Sequence, residues 1–70
     1  MKDWHKVFVA NNQFQVELIK NELISNEINA VIIDKKSSPY QLGNLEIYVP
    51  EKDAIVSKTI IDLFLKNETE

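Results

Sequence analysis

The sequence predicts a small α+β domain with its elements in the order β-α-β-β-α. Three short segments are rich in β-branched and aromatic residues, whereas in two longer segments apolar residues recur every three to four positions. At 70 residues the chain has room for one hydrophobic core, so we expect a single domain over 1–70. Its ordered core should span about 4–65, followed by a polar tail at 66–70.

The first strand and helix are marked by a change of period. Residues Trp4–Ala10 are aromatic and β-branched, and a pair of asparagines ends the run, which predicts strand β1. From Asn12 to a break at 25–27, helical spacing predicts helix α1 with one buried face. Asn12 followed three residues later by Gln15 resembles a capping box, in which each side chain binds a free backbone amide.

Residues 28–36 run apolar and then turn charged, and we expect strand β2 there. The segment 37–43 is a cluster of turn formers without a period, so it predicts a loop. Strand β3 follows, with Leu45, Ile47 and Val49 expected inside and Glu46 and Tyr48 on a partly wet face.

The second helix, α2, is expected to begin at Pro50, because proline suits the first helical turn. The acidic residues Glu51 and Asp53 suit the positive end of its dipole. We expect its inner face at Val56, Ile60, Leu63 and Phe64, with Ile61 beside them.

A right-handed β1-α1-β2 crossover followed by a hairpin is a split β-α-β unit. We therefore expect a three-stranded sheet in the order 2-3-1 with both helices on one face. A full ferredoxin-like fold has a fourth strand that covers β1, and we expect this strand to be missing. An uncovered strand edge favours self-association, so we predict a homodimer or larger assembly whose β1 edge includes Trp4, Lys6 and Phe8.

Composition argues against several functional classes. The chain has no cysteine, which excludes disulfides, thiolate metal sites and thiol nucleophiles. Its single glycine excludes the glycine-rich nucleotide fingerprints. His5 has no partner at ligand spacing, and we expect it to be exposed on the outer face of β1. Glu17 with Glu22, and Asp53 with Asp62, are candidate acid–base pairs, but we expect them to be solvated surface carboxylates. We therefore predict no enzyme activity, no metal and no cofactor.

The charge pattern makes nucleic acid an improbable partner. All eight basic residues are lysines and the net charge is −3, so few counterions could be released on binding. Trp4 and Tyr48 resemble the aromatic platforms of RNA-binding sheets, but without an arginine or an RNP-like run they favour packing. The longest apolar runs have four residues and the amino terminus is charged. We therefore expect a cytoplasmic protein that does not interact with membranes.

The loop between β2 and β3 is the predicted working surface. A lysine pair enters it, a serine precedes proline, and a tyrosine stands in the turn. The candidate partner- or ligand-binding residues are Lys35, Lys36, Ser38, Tyr40 and Gly43. Simpler explanations stay open: the lysines can solubilise an edge, Gly43 can supply a positive backbone angle, and the Tyr40 ring can cap the core.

Several segments together resemble a small prokaryotic domain family of unknown function whose name assigns it to signal transduction. The resemblance covers about residues 4 to 65 and rests on the segments 6–10, 16–23, 28–31, 35–38 with Tyr40 and Gly43, 45–49 and 53–54. It implies a ferredoxin-like fold similar to nitrogen-regulatory P-II proteins and a regulatory role. P-II proteins contact their targets through a long loop between β2 and β3, and the loop here is shorter.

The resemblance carries over no residue for nucleotide binding or tyrosine modification. One position departs from the family pattern, because Glu27 stands where relatives usually have glycine. We expect the preceding Asn26 to adopt the left-handed conformation instead.

Two functional hypotheses follow. The first is a non-catalytic regulatory or protein-interaction module. The second is a small-molecule sensor that binds a metabolite at a subunit interface. A sensor needs a cavity with convergent polar groups, whereas an interaction module needs only an exposed patch or strand edge.

Overall fold

The computed structural model describes residues 3–35 and 45–68 and has the predicted order of elements. The elements are β1 (Trp4–Ala10), α1 (Gln13–Ser25), β2 (Val31–Asp34), β3 (Leu45–Pro50), a 3-10 helix (Glu51–Asp53) and α2 (Ala54–Glu68). Neither helix in this part of the chain combines the length and apolar character that a membrane span requires.

The three strands form one sheet in the order β1-β3-β2, with β3 antiparallel to both neighbours. The outer strands are therefore parallel to each other, as in a split β-α-β unit. Both helices contact the sheet and each other, which gives a two-layer slab with extents of 34 × 34 × 15 Å. The predicted fold class is confirmed, and the three strands among the described residues are compatible with a ferredoxin-like unit.

The core lies between the sheet and the two helices. Strand β3 contributes every second side chain to it, since Leu45, Ile47 and Val49 are buried while the residues between them are half-buried. This confirms the alternation predicted for β3. The other buried apolar residues are Val16, Ile19, Leu23, Ile28, Ala30, Ala54 and Ile61.

A β-bulge interrupts β1. Lys6 pairs with Tyr48 and Phe8 pairs with Ile47, so Val7 is an extra residue without a partner in β3. Directly opposed residues lie on the same face of a sheet. The bulge therefore puts Trp4 and Lys6 on one face and Phe8 on the other, where Val7 and Phe8 pack against the core.

Helix α1 begins as predicted. The Asn12 side chain accepts a hydrogen bond from the Gln15 backbone N–H at 3.1 Å, which is one half of the predicted capping box. The helix end differs from the expectation, because Asn26 has φ −99° and the positive φ of 64° falls on Glu27. The Glu27 N–H binds the Ile24 carbonyl and the Ile28 N–H binds the Leu23 carbonyl, so Glu27 holds the left-handed position of a Schellman motif.

Two other boundaries differ from those predicted. Strand β2 begins at Val31 instead of at residue 28, because the Ile28 amide completes the end of α1. Pro50 is the last residue of β3, opposite Trp4, rather than the first turn of α2. The 3-10 helix follows it, anchored by a bond from the Glu51 N–H to the Asp3 carbonyl at 2.9 Å.

The inner face of α2 is rotated from the predicted one. Ala54, Ser57 and Ile61 are buried, whereas Val56 and Leu63 are 49% and 57% exposed. The prediction counted only large apolar residues, but small side chains let a helix approach a sheet closely. Ile60, Phe64 and Leu65 pack at the margin of the core.

Candidate interaction surface

The helices leave one face of the sheet uncovered by any described element. Strand pairing assigns eight residues to this surface, here named the open face: Trp4, Lys6, Val9, Val31, Ile33, Glu46, Tyr48 and Pro50. Six of these side chains are apolar or aromatic. Most are half-buried, and Val9 is 43% exposed.

A polar network of three side chains lies at the centre of the open face. The Tyr48 hydroxyl donates a hydrogen bond to Glu46 Oε1 at 2.8 Å, and Lys6 Nζ lies 3.6 Å from Glu46 Oε2. Both carboxylate oxygens are thus engaged. The Glu46 side chain is only 12% exposed, whereas that of Lys6 is 49% exposed. The network therefore fixes a carboxylate within an apolar surface and leaves the ammonium accessible.

The network also alters the acidity of Tyr48. The hydrogen bond to Glu46 raises the pKa of the phenol above its usual value of 10.0, and desolvation and the negative charge of Glu46 act in the same direction. Tyr48 therefore stays protonated, and a hydrogen-bond donor, further into the alkaline range than an ordinary tyrosine.

The predicted site residues fall partly within the described structure. Lys35 is exposed directly after β2, whereas Lys36, Ser38, Tyr40 and Gly43 lie outside the described residues. This segment joins β2 to β3 at the edge where Ile33 pairs with Glu46, so the predicted loop adjoins the open face along the chain.

The predicted β1 residues are separated by the bulge. Trp4 and Lys6 belong to the open face, whereas Phe8 packs on the helix side. His5 is exposed, as expected, but it pairs with the buried Val49. It therefore belongs to the helix side of the sheet and not to the outer face that the sequence predicted.

Sequence reasoning missed Glu46 as a site residue. The alternation in β3 already places Glu46 and Tyr48 on one face, two residues apart, within reach of each other. Lys6 could not be added to the pair, because its position opposite Tyr48 depends on the strand register.

A concave feature, here named the helix groove, lies between α1 and α2. It has a volume of about 560 Å³. Its lining consists of Glu22, Asn26, Ile60, Leu63, Phe64 and Asn67. Among the residues that the structure describes, no group of three or more histidine or acidic side chains is arranged to hold a metal ion.

Comparison with known proteins identifies one relationship. A family model described as "Putative prokaryotic signal transducing protein" matches residues 4–64. No curated protein and no solved structure is significantly similar to the chain. The family match covers all the strands and most of α2 and includes every residue of the open face.

Proposed function

This chain belongs to the "Putative prokaryotic signal transducing protein" family, and we propose that it is a non-catalytic regulatory module that acts by binding another protein. The observation that carries this proposal is the open face. Six apolar or aromatic side chains share one broad side of the slab with a fixed carboxylate.

The open face has the composition of an interaction surface. The apolar centres of interfaces are rich in tyrosine and tryptophan and poor in unpaired charge. Here Trp4 and Tyr48 supply the aromatic area, and the charge of Glu46 is neutralised by Lys6. A contiguous apolar surface with polar side chains beside it is typical of a protein-binding site.

The accessible charge points to the chemistry of the partner. The Glu46 side chain is almost covered, so the half-exposed Lys6 side chain carries the charge that the open face presents to solvent. Lys35, two residues after Ile33 of the open face, is also exposed. We therefore expect a protein partner with an apolar patch and an acidic side chain at its margin. The loop residues Lys36, Ser38, Tyr40 and Gly43, outside the described structure, stay part of the predicted binding surface.

Affinity capture with matched variants tests the proposal. Val9→Gln removes an apolar contact from the open face, and Lys6→Gln removes its accessible charge. Val56→Gln is the control, because Val56 on α2 has a similar exposure of 49%. We expect wild type and the Val56→Gln control to retain a protein, identified by mass spectrometry, that both open-face variants lose. The identified partner, once purified, should show the same order of affinities in calorimetry.

Two results would contradict the proposal. A partner that binds the open-face variants as tightly as wild type would show that the surface lies elsewhere. Metabolites that co-purify without any protein would support the small-molecule sensor instead.

A further inference from the structure

The apolar floor of the helix groove follows from which residues of α2 face the core. Because Ala54, Ser57 and Ile61 occupy the core positions, Ile60 and Leu63 are turned toward the side of the helix that faces α1. Leu63 remains 57% exposed. The helix thus presents large apolar side chains next to α1, of which Ile60 and Phe64 pack at the margin of the core and Leu63 does not.

The groove has the dimensions of a small-molecule site. Its volume of about 560 Å³ lies within the range of roughly 300–1,000 Å³ that is typical of ligand pockets. Ile60, Leu63 and Phe64 form the apolar part, and polar side chains from both helices border it. This combination fits a ligand with one apolar body and one polar end.

The polar border of the groove is rich in acceptors. Glu22 is its one charged lining residue, and within the described part of the chain its carboxylate has no ion-pair partner. The Asn26 amide nitrogen already donates to the Glu22 carbonyl at 2.8 Å, which leaves its amide oxygen to accept. Both residues also lie at the carboxyl end of α1, where the helix dipole is negative.

We propose that the helix groove binds a small amphipathic amine, a protonated primary amine joined to an alkyl or aromatic body. The ammonium group lies against the Glu22 carboxylate and the Asn26 amide oxygen, and the body packs on Ile60, Leu63 and Phe64. This site is on the helix side of the sheet and does not depend on the protein-binding surface proposed above.

Matched ligands test this assignment. The ¹⁵N-labelled protein is titrated with phenethylamine, with 2-phenylethanol and with 3-phenylpropionate, which differ mainly in the charge of the polar end. We expect saturable NMR shifts at the backbone amides of the groove residues. The amine should bind roughly five- to tenfold more tightly than the alcohol, through one charge-assisted hydrogen bond at a half-exposed carboxylate. The carboxylate should bind most weakly.

Three variants locate the site. Glu22→Gln should lower the affinity for the amine to that for the alcohol. Glu17→Gln, at an exposed position of the same helix, should leave it unchanged. Leu63→Lys should abolish binding of the amine by supplying an ammonium of its own, and its exposed position preserves the fold. The proposal is overturned if amine and alcohol bind equally, if no shift saturates, or if Glu22→Gln has no effect.

Discussion

The backbone of Glu27 has a left-handed conformation, with φ 64°, that glycine adopts at no steric cost. For other residues this conformation costs roughly 1–2 kcal/mol. Replacement by glycine removes this cost, but part of the gain is offset because glycine increases the conformational entropy of the unfolded chain. We expect Glu27→Gly to raise the free energy of unfolding by up to about 1 kcal/mol. Urea denaturation followed by circular dichroism measures the change.

Asn26→Gly is the control for this prediction. Asn26 has a negative φ and its side chain binds the Glu22 carbonyl, so glycine there should destabilise by about 1 kcal/mol. If Asn26→Gly stabilised the protein and Glu27→Gly did not, the left-handed residue would be Asn26 and not Glu27.

Ser57 is a fully buried residue whose hydroxyl oxygen finds no hydrogen-bond partner among the described residues. A buried hydroxyl without a partner costs roughly 1–3 kcal/mol, and alanine is also the better helix former. We expect Ser57→Ala to stabilise the protein by about 1 kcal/mol in the same assay. Thr59→Ala, on the exposed side of α2, controls for helix propensity. A loss of stability in Ser57→Ala would mean that the hydroxyl is bonded in solution.

The Tyr48 hydroxyl should ionise above the usual tyrosine pKa of 10.0, because the phenolate would lose its bond to Glu46 and be repelled by it. The stabilisation from this bond is therefore present below pH 10 and is lost as the pH rises through the higher folded-state pKa. Ultraviolet titration in a Tyr40→Phe background isolates Tyr48. Glu46→Gln should bring its pKa back toward the usual value, and an unchanged pKa would argue against the bond.

At the scale of elements, periodicity predicted which segments are helices and strands better than which side they bury. The alternation in β3 was sufficient because the strand itself carries aliphatic residues at the core positions, Leu45, Ile47 and Val49, with Glu46 and Tyr48 between them. In α2 the core positions belong to Ala54 and Ser57, whose sizes gave no signal, so the predicted face was rotated. The bulge at Val7 has no mark in the sequence, and without it the face of Phe8 could not be predicted.

The start of α1 was predictable because its chemistry is local. Asn12 accepts from the Gln15 amide at 3.1 Å, and loss of such a cap costs typically about 1 kcal/mol. We expect Asn12→Ala to lower the free energy of unfolding by this amount. Asn11→Ala provides the matched control, since Asn11 is the exposed neighbour outside the helix. Equal effects of the two substitutions would exclude a specific capping role.

At the scale of the molecule, the order of elements and the strand order followed from the sequence because a split β-α-β unit has few alternatives. The open face did not follow in the same way. Its central contact joins Lys6 to Glu46, residues far apart in the chain whose proximity depends on register. The candidate loop residues beyond Lys35 lie outside the described structure, so their role stays a prediction.

The sheet ends at β1, where within the described residues no other element pairs with its outer edge. A seven-residue edge is a template for pairing with another chain, and so small a domain has little core of its own. The bulge makes pairing along the whole strand unfavourable. It shifts the alternation of faces at Val7, so a second chain paired along all of β1 would have its side chains beside residues of the wrong face. It leaves the stretch around Trp4 and Lys6 as the part able to pair in register with a second copy.

We therefore predict a homodimer through the amino-terminal half of β1, weak because the paired stretch is short. Light scattering should give an average mass that rises from the monomer mass of 8.1 kDa toward twice that value as the concentration reaches the high micromolar range. Trp4→Gln should shift the equilibrium toward monomer by removing the largest side chain of that stretch. Phe14→Gln is the control, because Phe14 is an aromatic residue on α1 with 72% exposure. A wild-type protein that stays monomeric at this concentration would rule out pairing through β1, and a dimer that loses mass only with Phe14→Gln would place the contact on the helices.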